Sequence, residues 1–140
     1  MKHILFVCTG NYYRSRFAEI LFNHYSAKSN TDSRSFSRGL EVFKANNEGP
    51  ISKYAHSYLR DIDLEIDMAR FPKQIDEIDF LISDEIILLD EAEHRPMMAQ
   101  YFPELVDDVT YWDFQDIQFK SPNEVLPLLE RKIRGLLKSS

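Results

Sequence analysis

The sequence predicts an α/β domain, a parallel sheet with helices covering both faces. Two observations carry that prediction. Short apolar runs of strand character alternate along the chain with segments whose apolar residues recur at helical spacing. The first run, Ile4-Leu5-Phe6-Val7, is apolar at every position, as a strand buried on both faces should be. The chain has 140 residues, which suits one domain spanning residues 1–140 and suffices for a real core.

The elements follow in order. From Ser15 the period changes, and Phe17, Ala18, Ile20, Leu21 and Tyr25 predict a helix to about Lys28. A polar break over 29–34 precedes a second short strand near 35–40. Asn46-Asn47-Glu48-Gly49-Pro50 is a loop, with Pro50 placed as the first residue of a helix through about Leu59. Within 78–89, Ile86-Ile87-Leu88-Leu89 predicts a third buried strand. Residues 91–101 read as helix, with Pro96 in its first turns, and 109–112 as a fourth strand. Ser121-Pro122-Asn123-Glu124 then supplies an N-cap serine, a proline at the first helical position and a glutamate three residues after the cap. Val125, Leu128, Leu129, Ile133, Leu136 and Leu137 give the final helix an apolar face, with Pro127 tolerated in its second turn.

Composition excludes several classes. Hydrophobic residues make up 44% and charged residues 29%, as in ordinary globular chains. A formal net charge of −6 argues against a broad nucleic-acid or anionic-membrane surface and leaves room for a small cationic pocket. One cysteine cannot form an internal disulfide, which argues for a reducing compartment. Met1-Lys2-His3 leads into an apolar run too short for a signal peptide or a membrane span, so a cytoplasmic protein is expected.

In such a sheet, ligands bind beyond the carboxyl ends of the strands, where strand order reverses. Cys8 stands at that end of the first strand, followed by Thr9-Gly10-Asn11-Tyr12-Tyr13 and the start of a helix at Arg14-Ser15. A loop of this length can turn several N–H groups inward, and the helix adds its unpaired N-terminal donors and positive dipole end. Gly10 allows close approach, and Asn11 tolerates a left-handed backbone. Arg14 adds a planar two-pronged donor suited to phosphoryl oxygens. Such surroundings favour the thiolate of Cys8, giving a nucleophile and an oxyanion cradle aimed at one point. Buried free cysteines are commonly core filler, but filler requires neither the glycine, the asparagine nor the arginine-serine pair.

The stretch from Cys8 to Ser15 resembles the phosphate loop of the low-molecular-weight protein tyrosine phosphatases, C-x-G-N-x-C-R-S-P. Phe17-Ala18-Glu19, Ser37-Arg38-Gly39-Leu40, Ala69-Arg70, the stretch 79–84 and Trp112-Asp113-Phe114-Gln115-Asp116 resemble later segments of that family. The resemblance implies a four-stranded parallel sheet of flavodoxin-like type, no cofactor and no metal. It implies Cys8 as nucleophile, Arg14 as phosphoryl ligand together with the loop from Thr9 to Tyr13, and Ser15 as donor to the thiolate. Asn11 would hold the loop's shape with Ser37 in support. The implied substrate is phosphotyrosine in a protein, or a small aryl phosphate.

The family's acid is an aspartate in a late Asp-Pro loop. Asp116 is the matching candidate although Ile117 replaces the proline; Asp113 is its rival, and either could be a capping or solvated carboxylate. Tyr13 stands where the family has a second cysteine, so oxidised Cys8 needs an external thiol for rescue. Arg16 replaces a proline and is expected to add positive charge near the mouth, while Tyr12, Tyr111 and Phe119 could wall the pocket. His3, His24, His56 and His94 share no metal-ligand spacing and read as surface or partly packed. The acids of 61–67 and 76–79 read as solvated faces, with Asp67 near enough to Ala69-Arg70 to join an outer network. Three other readings stay open: an arsenate reductase using an external thiol, a phosphoarginine phosphatase, whose loop has a small threonine where Tyr12 stands, and a phosphate-binding or regulatory module that has lost turnover.

Overall fold

A computed structural model describes residues 1–138. The strands are β1 (Lys2–Cys8), β2 (Ser33–Gly39), β3 (Glu85–Leu88) and β4 (Thr110–Tyr111). The helices are α1 (Arg14–Lys28), α2 (Lys53–Asp61), α3 (Glu77–Leu81), α4 (Glu91–Tyr101) and α5 (Pro122–Lys138), with short 3-10 turns at Val42–Lys44 and Pro103–Leu105. The sheet order is β2-β1-β3-β4, and every neighbouring pair runs parallel. The α/β class, the four strands and their parallel arrangement are as the sequence predicts.

β1 sits between β2 and β3, with Phe6 in register with Ser37 on one side and Ile87 on the other. The chain steps from β1 outward to β2, then crosses to the far side for β3. The switch point is therefore the carboxyl end of β1, where Cys8 lies. Strand alternation divides the core. Ile4, Phe6 and Cys8 face α1 and α5 through Phe17, Leu21, Phe22, Leu129 and Ile133, while Leu5 and Val7 face Phe80 and Met98. Each fully buried side chain of this size contributes about 1.5–3 kcal/mol, and these two layers fix β1 rigidly beneath its loop.

The helix starts differ in a way that matters for function. α2 is capped by Ser52, whose side chain accepts from the Tyr54 N–H at 3.2 Å. α5 follows Ser121, whose Oγ accepts from the Asn123 N–H at 3.2 Å, at the predicted cap. α1 has no side-chain cap, and its first residues, Arg14, Ser15 and Arg16, are buried. Its N-terminal donors are thus left for something else.

Three expectations are corrected. α2 begins at Lys53 rather than at Pro50, because Ser52 supplies the cap. Residues 77–81 form α3, stabilised by a capping box in which Asp76 and Asp79 reciprocate, so these acids are structural rather than a solvated face. In α5, Leu126 is buried and Leu128 is 50% exposed, so the apolar face is rotated from the predicted one.

Candidate active site

Cys8 is buried at the end of β1, with its Sγ 2.9 Å from Ser15 Oγ. Ser15 Oγ also accepts a hydrogen bond from Asn11 Nδ2 at 2.9 Å, which leaves the serine's own hydrogen to point at the sulfur. Asn11 adopts φ 52°, the left-handed conformation expected of it. Its side chain holds that strain in place with four hydrogen bonds. Nδ2 donates to Ser15 and, at 2.9 Å, to Ser37 Oγ, while Oδ1 accepts from Arg70 Nη1 at 2.8 Å and the Lys73 N–H at 3.0 Å. Ser37 accepts in turn from Arg70 Nη2 at 3.2 Å and donates to Glu19 at 2.5 Å. Asp67 accepts from the Ala69 N–H at 2.9 Å, turning the chain that delivers Arg70.

Gly39, in register with Cys8, is tight against this loop. A Cβ there would lie 2.8 Å from the Thr9 carbonyl oxygen and 2.9 Å from the Asn11 nitrogen. Only glycine lets β2 support the loop so closely.

Arg14 is 2% exposed, and its guanidinium is held from behind. Nη1 donates to Glu93 Oε1 and to the Phe114 carbonyl, both at 3.0 Å, and Nη2 donates to Glu93 Oε2 at 2.9 Å. Nε is buried with no partner among the described residues. The remaining donors, Nε–H and the second Nη2 hydrogen, share one edge of the fork, with Asp116 Oδ1 3.7 Å from Nη2. Burial works against this cation, but hydrogen bonding to Glu93 and the charges of Cys8, Glu93 and Asp116 raise it above the usual arginine range. Burial would likewise raise the Glu93 carboxyl; hydrogen bonds from His94 and Arg14 and the arginine's charge hold it well below the usual carboxylate range.

Glu93 is anchored further. Thr9 Oγ1 donates to its Oε2, and His94 Nε2 lies 3.2 Å from the same oxygen and 3.1 Å from Thr9 Oγ1. His94 Nδ1 accepts from the Asp90 N–H at 3.1 Å, so Nε2 carries the imidazole hydrogen. His94 is fully buried, which corrects its reading as a surface or partly packed residue. Sequence reasoning missed both residues. The available signal was positional: they open α4 directly after a buried strand adjacent to β1, at the same sheet edge as Cys8.

The cleft over Cys8 has a volume of about 610 Å³, and Thr9, Gly10, Tyr12, Tyr13 and Arg14 line it. Its outer walls are Ala45, Asn47, Glu48, Lys53, Tyr54, Asp116 and Ile117. Tyr12 donates to the Glu48 carbonyl at 2.5 Å, tying the loop to the mouth. Asp116 is on the wall, whereas Asp113 is exposed, off the lining, and pairs through its backbone with Asp90.

Three expected neighbours lie elsewhere. Arg16 is 3% exposed and bonded to Glu19 at 3.1 Å, so it braces the loop's underside instead of charging the mouth. Tyr111 packs on the opposite face of the sheet and donates to the Val106 carbonyl at 2.8 Å. Phe119 is 67% exposed and does not line the cleft.

A sequence model of the low molecular weight phosphotyrosine protein phosphatases matches residues 3–139. The chain belongs to that family. It is a cysteine-dependent phosphatase, and Cys8 is its one cysteine. Among solved structures, this phosphatase is similar to SP-PTP, the low molecular weight protein tyrosine phosphatase of Streptococcus pyogenes. That match has 23% identity and a TM-score of 0.84, covering 99% of this chain and 93% of that one. It is similar to Vibrio vulnificus Wzb in complex with benzylphosphonate, at 18% identity and TM-score 0.82, with 99% of each chain covered. It is also similar to the YwlE arginine phosphatase of Bacillus subtilis, in a cysteine-to-serine mutant with phosphorylated active site serine. Here the identity is 21% and the TM-score 0.81, covering 98% of this chain and 94% of that one. At these identities the likeness establishes the fold. No curated protein sequence matches the phosphatase. Among its described residues, no group of three or more His, Cys, Asp or Glu is gathered as a metal would require, and no helix is long and apolar enough to cross a membrane.

Proposed function

We propose that this phosphatase hydrolyses phosphotyrosine in proteins, or small aryl phosphates, through a cysteinyl-phosphate. Cys8 Sγ attacks phosphorus, the bond to the leaving oxygen breaks, and Asp116 supplies that oxygen's proton. Water then attacks phosphorus on the opposite side, Asp116 takes its proton, and the S–P bond breaks to return the thiolate. Ser15, freed by Asn11 to donate, stabilises the sulfur's charge in both steps. The loop amides from Thr9 to Ser15 and the open edge of Arg14 hold the phosphoryl oxygens.

The observation that carries this reading is the orphaned Nε of Arg14, on the edge that Glu93 and Phe114 leave open. Its guanidinium is buried and anchored by Glu93 and Phe114 on three hydrogens, yet Nε has no partner among the described residues. A buried donor left unpaired costs about 1–3 kcal/mol, which a bound oxyanion removes. Tyr12 and Tyr54 on the walls offer ring surface on which a flat aryl group can pack. That Wzb is found with benzylphosphonate, and the YwlE cysteine-to-serine mutant with a phosphorylated active site serine, supports an aryl phosphoryl ligand and a phosphoryl group carried on the nucleophile. A cytoplasmic, reducing setting suits a reaction that depends on one reduced thiol.

The test is turnover of p-nitrophenyl phosphate by wild type and by Cys8→Ser, with phosphate affinity measured beside it. A rate abolished by the substitution supports the enzyme. Tight phosphate binding without turnover in wild type points instead to a binding module.

A further inference from the structure

Tyr13 has an unusual environment. It is 6% exposed and lines the cleft beside Cys8, and its hydroxyl is buried without a partner among the described residues. Buried hydroxyls are ordinarily bonded, and an orphan on a site wall marks a partner that arrives later. Burial, opposed by Arg14 and reinforced by Asp116, pushes its phenol up to about 12, so it remains a donor at neutral pH. The charged groups acting on it, Arg14 and Asp116, are the resting pair separated by 3.7 Å. Asp116 is followed by Ile117, so no proline stiffens the acid's loop.

We propose that the Tyr13 hydroxyl is a positioning residue for Asp116. When a phosphoryl group occupies the Arg14 edge, Asp116 leaves that cation, and Tyr13 donates to one of its carboxyl oxygens. The other oxygen then carries the proton toward the leaving group and, in the second step, takes the proton of the attacking water. Tyr13 thereby replaces with a hydrogen bond the rigidity lost with the proline.

The inference rests on Asp116 being the acid, and the experiment separates the two. kcat/KM is measured on aryl phosphates from good to poor leaving groups for wild type, Tyr13→Phe, Asp116→Asn and the double variant. Asp116→Asn should lower kcat/KM far more for phenyl phosphate than for p-nitrophenyl phosphate. Tyr13→Phe should do the same to a smaller degree, about tenfold on the poor leaving group, and the double variant should be no worse than Asp116→Asn. The Tm of Tyr13→Phe should equal or exceed that of wild type, because the hydroxyl has no resting partner. A uniform loss across leaving groups, full additivity in the double variant, or a lowered Tm would overturn the proposal. If Asp116→Asn shows the leaving-group dependence and Tyr13→Phe does not, only the Tyr13 role fails. If Asp116→Asn shows none, both fail.

Discussion

Glu93→Ala removes the group that holds Arg14 from behind. In wild type that carboxylate accepts two bonds from the guanidinium, at 3.0 and 2.9 Å, together with donors from Thr9 and His94. Breaking a buried ion pair costs about 3–5 kcal/mol. The Glu93 side chain is 20% exposed, so water replaces part of the loss, and about 2–3 kcal/mol is expected. For a chain of this length that is roughly 6–9 °C in Tm. The freed guanidinium keeps the Phe114 carbonyl and turns toward Asp116, 3.7 Å away, misaligning its open edge. Inorganic phosphate, assayed as a competitive inhibitor, should then bind about tenfold more weakly, equivalent to about 1.4 kcal/mol. Acidification provides a second reading. The folded carboxyl is held below its ordinary value of 4.5, so its contribution is present above that pH and is lost as pH falls below it. The Tm gap between wild type and Glu93→Ala should therefore narrow from about pH 5 to about pH 3. Wild-type Tm and phosphate inhibition in Glu93→Ala would refute the reasoning.

Two further outcomes follow from the loop's supports. Gly39→Ala brings a methyl to 2.8 and 2.9 Å from backbone atoms of Thr9 and Asn11, so the loop must shift. It should cost about 1–3 kcal/mol by urea unfolding and lower kcat/KM on p-nitrophenyl phosphate at least ~10-fold. Asn11→Gly and Asn11→Ala both delete four side-chain hydrogen bonds, but only alanine also resists the left-handed backbone at φ 52°. Both should lose activity, with Ala less stable than Gly by about 1 kcal/mol in the same unfolding assay; equal stabilities would discard the strain argument.

The legible part of this chain was its local pattern. The apolar run of β1 announces a central strand, and the Cys8–Ser15 stretch announces a strand-to-helix loop with a left-handed Asn11, because both signals lie within a few consecutive residues. What remained hidden depends on contacts across the fold. Glu93 and His94 meet Arg14 and Thr9 from 79 to 85 positions away, and nothing local distinguishes that glutamate from its neighbour Glu91. Arg16 misleads because charge suggests solvent, whereas Glu19, one turn away, accepts a bond from its Nη1 under the loop. Residues 77–81 were masked by a following β-branched run, and their helix is set by the Asp76–Asp79 box. Helical spacing alone puts Leu128 on the apolar face, whereas the packing of Leu126 and Leu129 in the β1 core sets the helix's rotation.

Because the molecule's only sulfhydryl is also the group at the bottom of its cleft, one alkylating reagent can take a census of intact centres. Each modified chain gains a single label, read by mass, and no competing thiol dilutes the count. Shielding by phosphate would then report occupancy directly, without any chromogenic substrate.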